Sequence, residues 1–415
     1  MTEKKEGLLS PYRVLDLCDE KGLFCGKLMG DLGADVIKIE PPGGEAVRNK
    51  GPFYKDQVDP QKSLYWFSLN TSKRGITLDI AKPEGAEIFR RLVKTADFVI
   101  ESFKPGYLAG LGLGYADLEK INPGVILVSI TPFGQTGPYR DWKGPDMVLW
   151  ALGAGPFIRT FDSPDRPPFR VSHHPQTYFH GGTEAVVGAM AALHHRANTG
   201  EGQQVDVSIQ ECVSWHPLGD YDLNKRVVKR GTMLLPLQVK VTHIWPCKDG
   251  HVMWRYTGGP AAKRHSTPLA NWINQEGFGD DWFKNFDWEN FSHFTTNQEV
   301  IDHMEDLTKK FFLTKTKAEL MEGAIKYRIM LYPISTVADL LESPQLKYRE
   351  FWTEVRHPEL NDTIRYPGKW ANNSATPPRI SRRAPLIGEH NEEVYCGELG
   401  YSPEEMQTLK GAGVI

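Results

Sequence analysis

Short apolar runs bounded by turn residues recur through the first half of the chain: RVLDL (13–17), DVIKIE (35–40), ITLDI (76–80), DFVIES (97–102), VILVSIT (125–131) and QVDVSI (204–209). Several are almost wholly apolar, the pattern of strands buried on both faces of a parallel sheet. Between them stand segments with helical spacing: GLFCGKLMGDLG (22–33), PEGAEIFRRLVKTA (83–96) and ADLEKI (116–121). A longer stretch, HHPQTYFHGGTEAVVGAMAALHHRANTGEGQQVDVS (173–208), reads as a loop, a helix packed with small residues, a turn and a strand. This alternation predicts an α/β fold with a doubly wound, Rossmann-like domain whose ligands sit at the carboxyl ends of its parallel strands.

After about Trp215 the pattern changes. Residues 255–330 carry Trp272, Trp282 and Trp288 among many polar positions, in short helical patterns with few strand signals, and predict a smaller middle domain. From about 333 the segments PISTVADLLESPQLKYREFW and APLIGEHNEEVYCGELGYSPEEMQTLKGAGVI return to regular helices separated by turns. PDRPP (164–168) and NNSATPPRISRR (372–383) read as exposed loops, and no repeat or low-complexity tract is present.

Composition narrows the function classes. At 415 residues the chain is too long for one ordinary core, so two domains are expected. With 40% hydrophobic and 24% charged residues it has the make-up of a globular protein. Lys and Arg (49) nearly balance Asp and Glu (52) without a run of one sign, which argues against nucleic acid as a partner. The first residues, MTEKKEGLLSPYRVLDL, lack a signal peptide's apolar core, and no stretch reaches the roughly 18 uninterrupted apolar residues of a membrane span. The five cysteines (Cys18, Cys25, Cys212, Cys247, Cys396) are scattered, with no CxxC pair and no zinc spacing, which fits a cytoplasmic protein without a metal site. Cys18 and Cys25 read as buried small hydrophobes. No GxGxxG follows the first strand, so a nicotinamide or flavin cofactor has no support.

An ordered series of segments carries a resemblance. LGADVIKIEPPGGE (32–45), NTSKRGITLDIAKPEG (70–85), ADFVIESFKPGYLAGLGLGYADLEKINPGVILVSITPFGQTGPYRD (96–141), AMAALHHRANTGEGQQVDVS (189–208) and APLIGEH (384–390) together resemble the class III, or CaiB/BaiF-type, CoA-transferases. That group contains formyl-CoA and carnitine CoA-transferases and related acyl-CoA racemases. The resemblance implies a Rossmann-like large domain built from both ends of the chain (1–220 and 333–415, the latter including a linker), a small domain over 221–332, and an interlocked dimer. It implies no tightly bound cofactor but a coenzyme A thioester as substrate, held against Leu78, Asp79, Ile80 and Ala81, against Ser102, Phe103 and Lys104, and against Lys143 and Asp146. Loops after strands offer backbone N–H groups, and Lys104 and Lys143 could neutralise phosphate charge or be solvated surface cations.

Catalysis in that family needs an aspartate, which attacks the acyl-CoA thioester, forms a mixed anhydride and frees the CoA thiolate. A carboxylate suits this because it is ionised at neutral pH and its anhydride is as activated as a thioester. The family's spacing, four residues before one glycine (Gly182) and ten before another (Gly188), falls here on Tyr178. A phenol is mostly protonated at neutral pH, and an aryl ester would not pass its acyl group to a carboxylate. The stretch offers Glu184 as its only carboxylate, where the helix should have turned it away from the pocket, and His173, His174 and His180 as general bases or hydrogen-bonded bystanders. Gly110 stands where many family members have an arginine, and CDEKGLFCG (18–26) lacks the usual glutamine.

The resemblance therefore implies a catalytically silent subunit of a heteromeric CoA-transferase, partnered by a homologous sister chain that carries the aspartate. The substrates expected by analogy are succinyl-CoA and a carboxylic acid such as (R)-benzylsuccinate of anaerobic toluene degradation. The alternatives are a self-sufficient acyl-CoA racemase or isomerase, and a non-enzymatic CoA-ester binding protein.

Overall fold

The structure is a computed structural model that describes residues 7–153, 174–215 and 239–415. The described residues fall into two compact units, one within 1–160, 167–226 and 345–415, the other within 161–166 and 227–344.

The first unit is an α/β fold. Its strands are β1 (Arg13–Leu17), β2 (Asp35–Glu40), β3 (Lys73–Thr77), β4 (Phe98–Glu101), β5 (Ile126–Thr131) and β6 (Gln204–Ser208). They form one sheet in the order β3-β2-β1-β4-β5-β6, every pairing parallel. The order reverses direction between β1 and β4, so the carboxyl ends of these two strands flank the topological switch point.

Alternate strand residues feed two cores. Val14, Val36, Phe98 and Val128 face α1 (Leu23–Asp31), α6 (Asp146–Leu152), α7 (Thr177–Thr199) and α8 (Ile209–Ser214). Leu15, Ile37, Val99 and Leu127 face α3 (Pro83–Val93), α5 (Tyr115–Ile121) and the end of the chain, including Val394 and Ile415. Two short helices complete this half, α2 (Leu64–Leu69) before β3 and α4 (Tyr107–Gly110) after β4. The small residues of α7 serve close packing: a Cβ at Gly188 would come to 2.7 Å from the Val205 side chain, and one at Gly182 to 3.1 Å from the backbone of Cys25.

Two elements differ from the sequence pattern. Strand β3 begins at Lys73, ahead of the apolar run at 76–80, because both its charges are satisfied inside the fold: Lys73 Nζ donates to Asp16 at 2.8 Å, to the Leu23 carbonyl at 2.9 Å and to Asn70 at 2.9 Å. Arg74 pairs with Asp35 at 2.7 Å. Helix α7 begins at Thr177, so Tyr178 and His180 stand in its first turns and not in a loop. His173 lies outside the described residues.

The second unit contains a three-stranded antiparallel sheet of β7 (Ile244–Cys247), β8 (Gly250–Met253) and β9 (Tyr332–Pro333). Helices α9 (Ser266–Gln275), α10 (Asp281–Lys284), α11 (Gln298–Phe312) and α12 (Lys317–Tyr327) pack over a core rich in Trp and Phe. Then follow α13 (Val337–Glu342) and α14 (Pro344–Tyr348), and in the first unit a hairpin of β10 (Trp352–His357) and β11 (Asp362–Pro367) that the sequence pattern did not announce. A π-helical turn (Glu393–Glu398) and α15 (Pro403–Gly411) close the chain. The segment before that turn seals edge strand β3: His390 N–H donates to the Gly75 carbonyl at 2.9 Å, and Asn391 Oδ1 accepts from Thr77 N–H at 2.9 Å.

Candidate active site

The switch point is built by three loops and one helix start, all in the first unit. Beyond β1, Asp19 N–H donates to Ser102 Oγ at 2.8 Å, and Ser102 Oγ donates to Asp19 Oδ1 at 2.7 Å, which ties the loops after β1 and β4 together. Beneath them lies a buried ionic floor: Asp16 holds Lys73 at 2.8 Å and Lys38 at 3.9 Å, all three sealed from solvent. Glu101, the last residue of β4, is only 5% exposed, and burial pushes its carboxyl up to about 7. Its carboxylate accepts from the Phe103 N–H at 2.7 Å.

The start of α7 is pinned by Asp146. Its Oδ1 accepts from both Thr177 N–H and Thr177 Oγ1, each at 2.8 Å, satisfying a donor that a helix start leaves orphaned. Tyr178 follows, packed against the core beside α1, its hydroxyl directed at the Gly144 carbonyl at 3.4 Å. Burial, then the carboxylates of Glu20, Asp19 and Asp146, push its phenol well above the ordinary tyrosine range. Tyr65 on α2 stacks on His174 at 4.6 Å, and burial and Glu20 raise its phenol in the same way. Two protonated phenols thus stand near one carboxylate. Glu20 is itself 15% exposed, is ion-paired with Lys50, and its side-chain hydrogen bond with Tyr65 helps to raise that phenol. The sequence pattern did not single out Glu20, because it reaches the start of α7 from the loop after β1.

The other expected residues distribute as follows. Ser102, Phe103 and Lys104 follow β4, and Lys104 reaches Asp141 at 3.3 Å, so this loop adjoins the one carrying Lys143, which is exposed. Phe103 packs on Tyr107 with ring centres 4.7 Å apart. Leu78, Asp79, Ile80 and Ala81 follow β3, on the same sheet edge but with β2 and β1 between. Leu78 and Ile80 are buried, and three of the segment's N–H groups are already engaged: Leu78 with the Glu40 carbonyl at 2.7 Å, Asp79 with that of Val414 at 2.8 Å, and Ala81 with Asp79 Oδ1 at 3.0 Å. Glu184 is exposed on α7, and after burial its charge is the next cause that raises the thiol of Cys212. His180 meets Trp150 edge-on at 5.8 Å. A Cβ at Gly110 would meet no atom within 4 Å.

All five cysteines are free thiols, and among the described residues no cluster of three metal-ligating side chains occurs. No described helix is long and apolar enough to cross a membrane.

Comparison with known proteins places this geometry in context. The model of CoA-transferase family III matches residues 9–391. The subunit BbsE of succinyl-CoA:(R)-benzylsuccinate CoA-transferase from Thauera aromatica is 33% identical over 98% of both chains. Succinyl-CoA–D-citramalate CoA-transferase from Chloroflexus aurantiacus is 34% identical, again over 98% of both. Among solved structures, a CaiB/BaiF family protein from Brucella suis superposes with a TM-score of 0.76 at 28% identity, covering 94% of this chain and 99% of that one.

Proposed function

The chain belongs to CoA-transferase family III, and from that premise we propose that it is the catalytically silent subunit of a heteromeric, interlocked CoA-transferase whose sister chain supplies the nucleophilic aspartate. The observation that carries this reading is the state of Tyr178. A phenol among the carboxylates of Glu20, Asp19 and Asp146 stays protonated, and even as an aryl ester it would not regenerate the activated acyl group that transfer to a carboxylate requires. Both relatives described above are named for succinyl-CoA, and one is a subunit of an enzyme named also for (R)-benzylsuccinate, so we take succinyl-CoA and an aromatic dicarboxylate as the substrate pair.

In this reading the coenzyme A thioester lies along the carboxyl edge of the sheet, with Ser102, Phe103, Lys104, Lys143 and Asp146 at the switch point and Leu78 to Ala81 farther along the edge. The thioester is a substrate and no resident cofactor is required. The complex would work in the cytoplasm, in keeping with its free thiols. Activity assays of this chain alone, of the sister chain alone and of the two together test the reading: transfer from succinyl-CoA should need the sister chain, and transfer by this chain alone would end it.

A second reading is favoured by one specific observation. Glu20 places a largely buried carboxylate beside the phenols of Tyr65 and Tyr178, where as a nucleophile it would let this chain form its own acyl anhydride. Its ion pair with Lys50 weighs against this by stabilising the carboxylate and lowering its nucleophilicity. A Glu20→Gln variant separates the two: on the silent-subunit reading it leaves the transfer chemistry of the complex in place.

A further inference from the structure

A pocket of about 560 Å³ opens between the β10–β11 hairpin and the segment 380–390. It adjoins edge strand β3 through the hydrogen bonds between His390 and Gly75, and it shares no lining residue with the switch-point site. Its volume is that of a small-molecule site. Its wall carries Arg356, Arg382, Arg383, Glu354, Glu389 and His390.

Several of these charges are paired, within the wall or just behind it. Arg383 is clamped by Glu389 at 2.7 Å and by Glu359 at 2.8 Å, and Glu354 pairs with Arg365 at 3.5 Å. Arg356 has no ion-pair partner among the described residues, and Arg382 meets only the ring of His390 there. Arg356 and Arg382 are thus left without a carboxylate partner among the described residues, and the group as a whole carries one net positive charge.

The orientation of His390 adds a second, independent observation. Its Nδ1 accepts the Gly75 N–H at 3.0 Å. Burial holds the imidazole below its ordinary value and therefore neutral at pH 7, with Arg382 adding to the effect. The one ring proton must then sit on Nε2. Yet Nε2 lies 3.1 Å from Arg382 Nη1, which can only donate. Two donors face each other with no acceptor to share, an arrangement that a bound oxygen anion resolves by accepting from both.

We infer that this pocket is a binding site for a small carboxylate- or phosphate-type anion, whose oxyanion group is held by Arg356, Arg382 and the Nε2–H of His390. The planar guanidinium fork matches carboxylate and phosphate oxygens equally. A dicarboxylate and a phosphate are therefore two sources of the same chemistry. Glu389 and Glu359 hold Arg383 as a fixed wall, so it is not among the ligands.

Titration calorimetry on the purified protein, alone and with its sister chain, tests the inference with succinate and inorganic phosphate as separate probes. At least one should bind saturably, and which one does so identifies the source. Arg356→Ala and Arg382→Ala should each weaken it roughly tenfold, the loss of one charge-assisted hydrogen bond. Arg264→Ala, an exposed arginine of the other unit, should leave it unchanged. In parallel, nitrogen NMR should show the His390 Nε2 resonance moving with the same saturation. If Arg382→Ala does not fold, Arg356→Ala, exposed on the hairpin, decides the matter. Absence of saturable binding by both probes, or binding by Arg356→Ala equal to that of the unaltered protein, overturns the inference.

Discussion

Asp146 and Thr177 are joined twice: one carboxylate oxygen accepts from the backbone N–H and from the hydroxyl of the same threonine, each at 2.8 Å. The pair lashes the start of α6 to the first turn of α7 and so fixes where Tyr178 emerges. Replacing Asp146 by Ala removes a capping interaction and should lower stability by about 1–2 kcal/mol, read as a fall in denaturant midpoint at unchanged slope.

A larger loss is expected at Arg48. Its guanidinium contacts the Glu40 carboxylate twice, at 2.6 and 2.7 Å, lies 3.7 Å over the Trp66 ring, and is fully buried with its partner. Arg48→Met leaves a buried carboxylate uncompensated and should cost about 3–5 kcal/mol in the unfolding free energy. A loss below about 1 kcal/mol would show that Glu40 finds another partner or a proton at little cost.

Glu101 gives a pH dependence with a defined sign. Its folded value, about 7, stands above the 4.5 of an ordinary glutamate, so the native state holds a proton that the unfolded chain releases between those two pH values. The contribution is complete below about 4.5 and is lost as pH rises through about 7. Glu101→Gln should remove that component, so that its stability relative to the unaltered protein improves steadily from pH 5 to 8, by up to roughly 3 kcal/mol. Parallel stability curves for the two proteins would contradict the assignment.

Gly110 bears on substrate affinity. Because a side chain there meets open space, Gly110→Arg should be tolerated, and it should tighten binding of a CoA ester roughly tenfold by restoring a phosphate contact. Calorimetry with succinyl-CoA checks this, and equal affinity would mean that the phosphates lie elsewhere.

Strands were the most legible part of the fold, since a run such as VILVSIT is buried on both faces and nothing else fits it. Legibility failed where long-range partners decide. Lys73 reads as a loop residue until Asp16, 57 positions away, appears beside it. The start of α7 depends on Asp146, 31 residues upstream and beyond any local signal. The β10–β11 hairpin was hidden because TEVRH and DTIRY carry charges on the face that stays exposed. At the candidate site, Tyr178 was singled out only by the spacing that the family resemblance supplies, whereas Glu20 required the folded loops: a search along one stretch of sequence finds only Glu184, which is exposed on α7.

On the silent-subunit reading, placing a carboxylate at position 178 should not by itself give the reaction. Tyr178→Asp would place a carboxylate among Glu20, Asp19 and Asp146, whose charges oppose its ionisation and repel an anionic acceptor. The variant should show at most trace transfer without the sister chain, because preorganisation and not residue identity alone sets the rate. Robust activity would mean that the surrounding carboxylates are no obstacle.

The most direct test traps the acyl-enzyme. The chain and its sister are incubated with succinyl-CoA, separately and together, and each is analysed by mass spectrometry before and after hydroxylamine. The account predicts a hydroxylamine-sensitive succinyl adduct on the sister chain's aspartate and none on this one. An adduct on this chain, at Glu20 or at any other carboxylate, would contradict it.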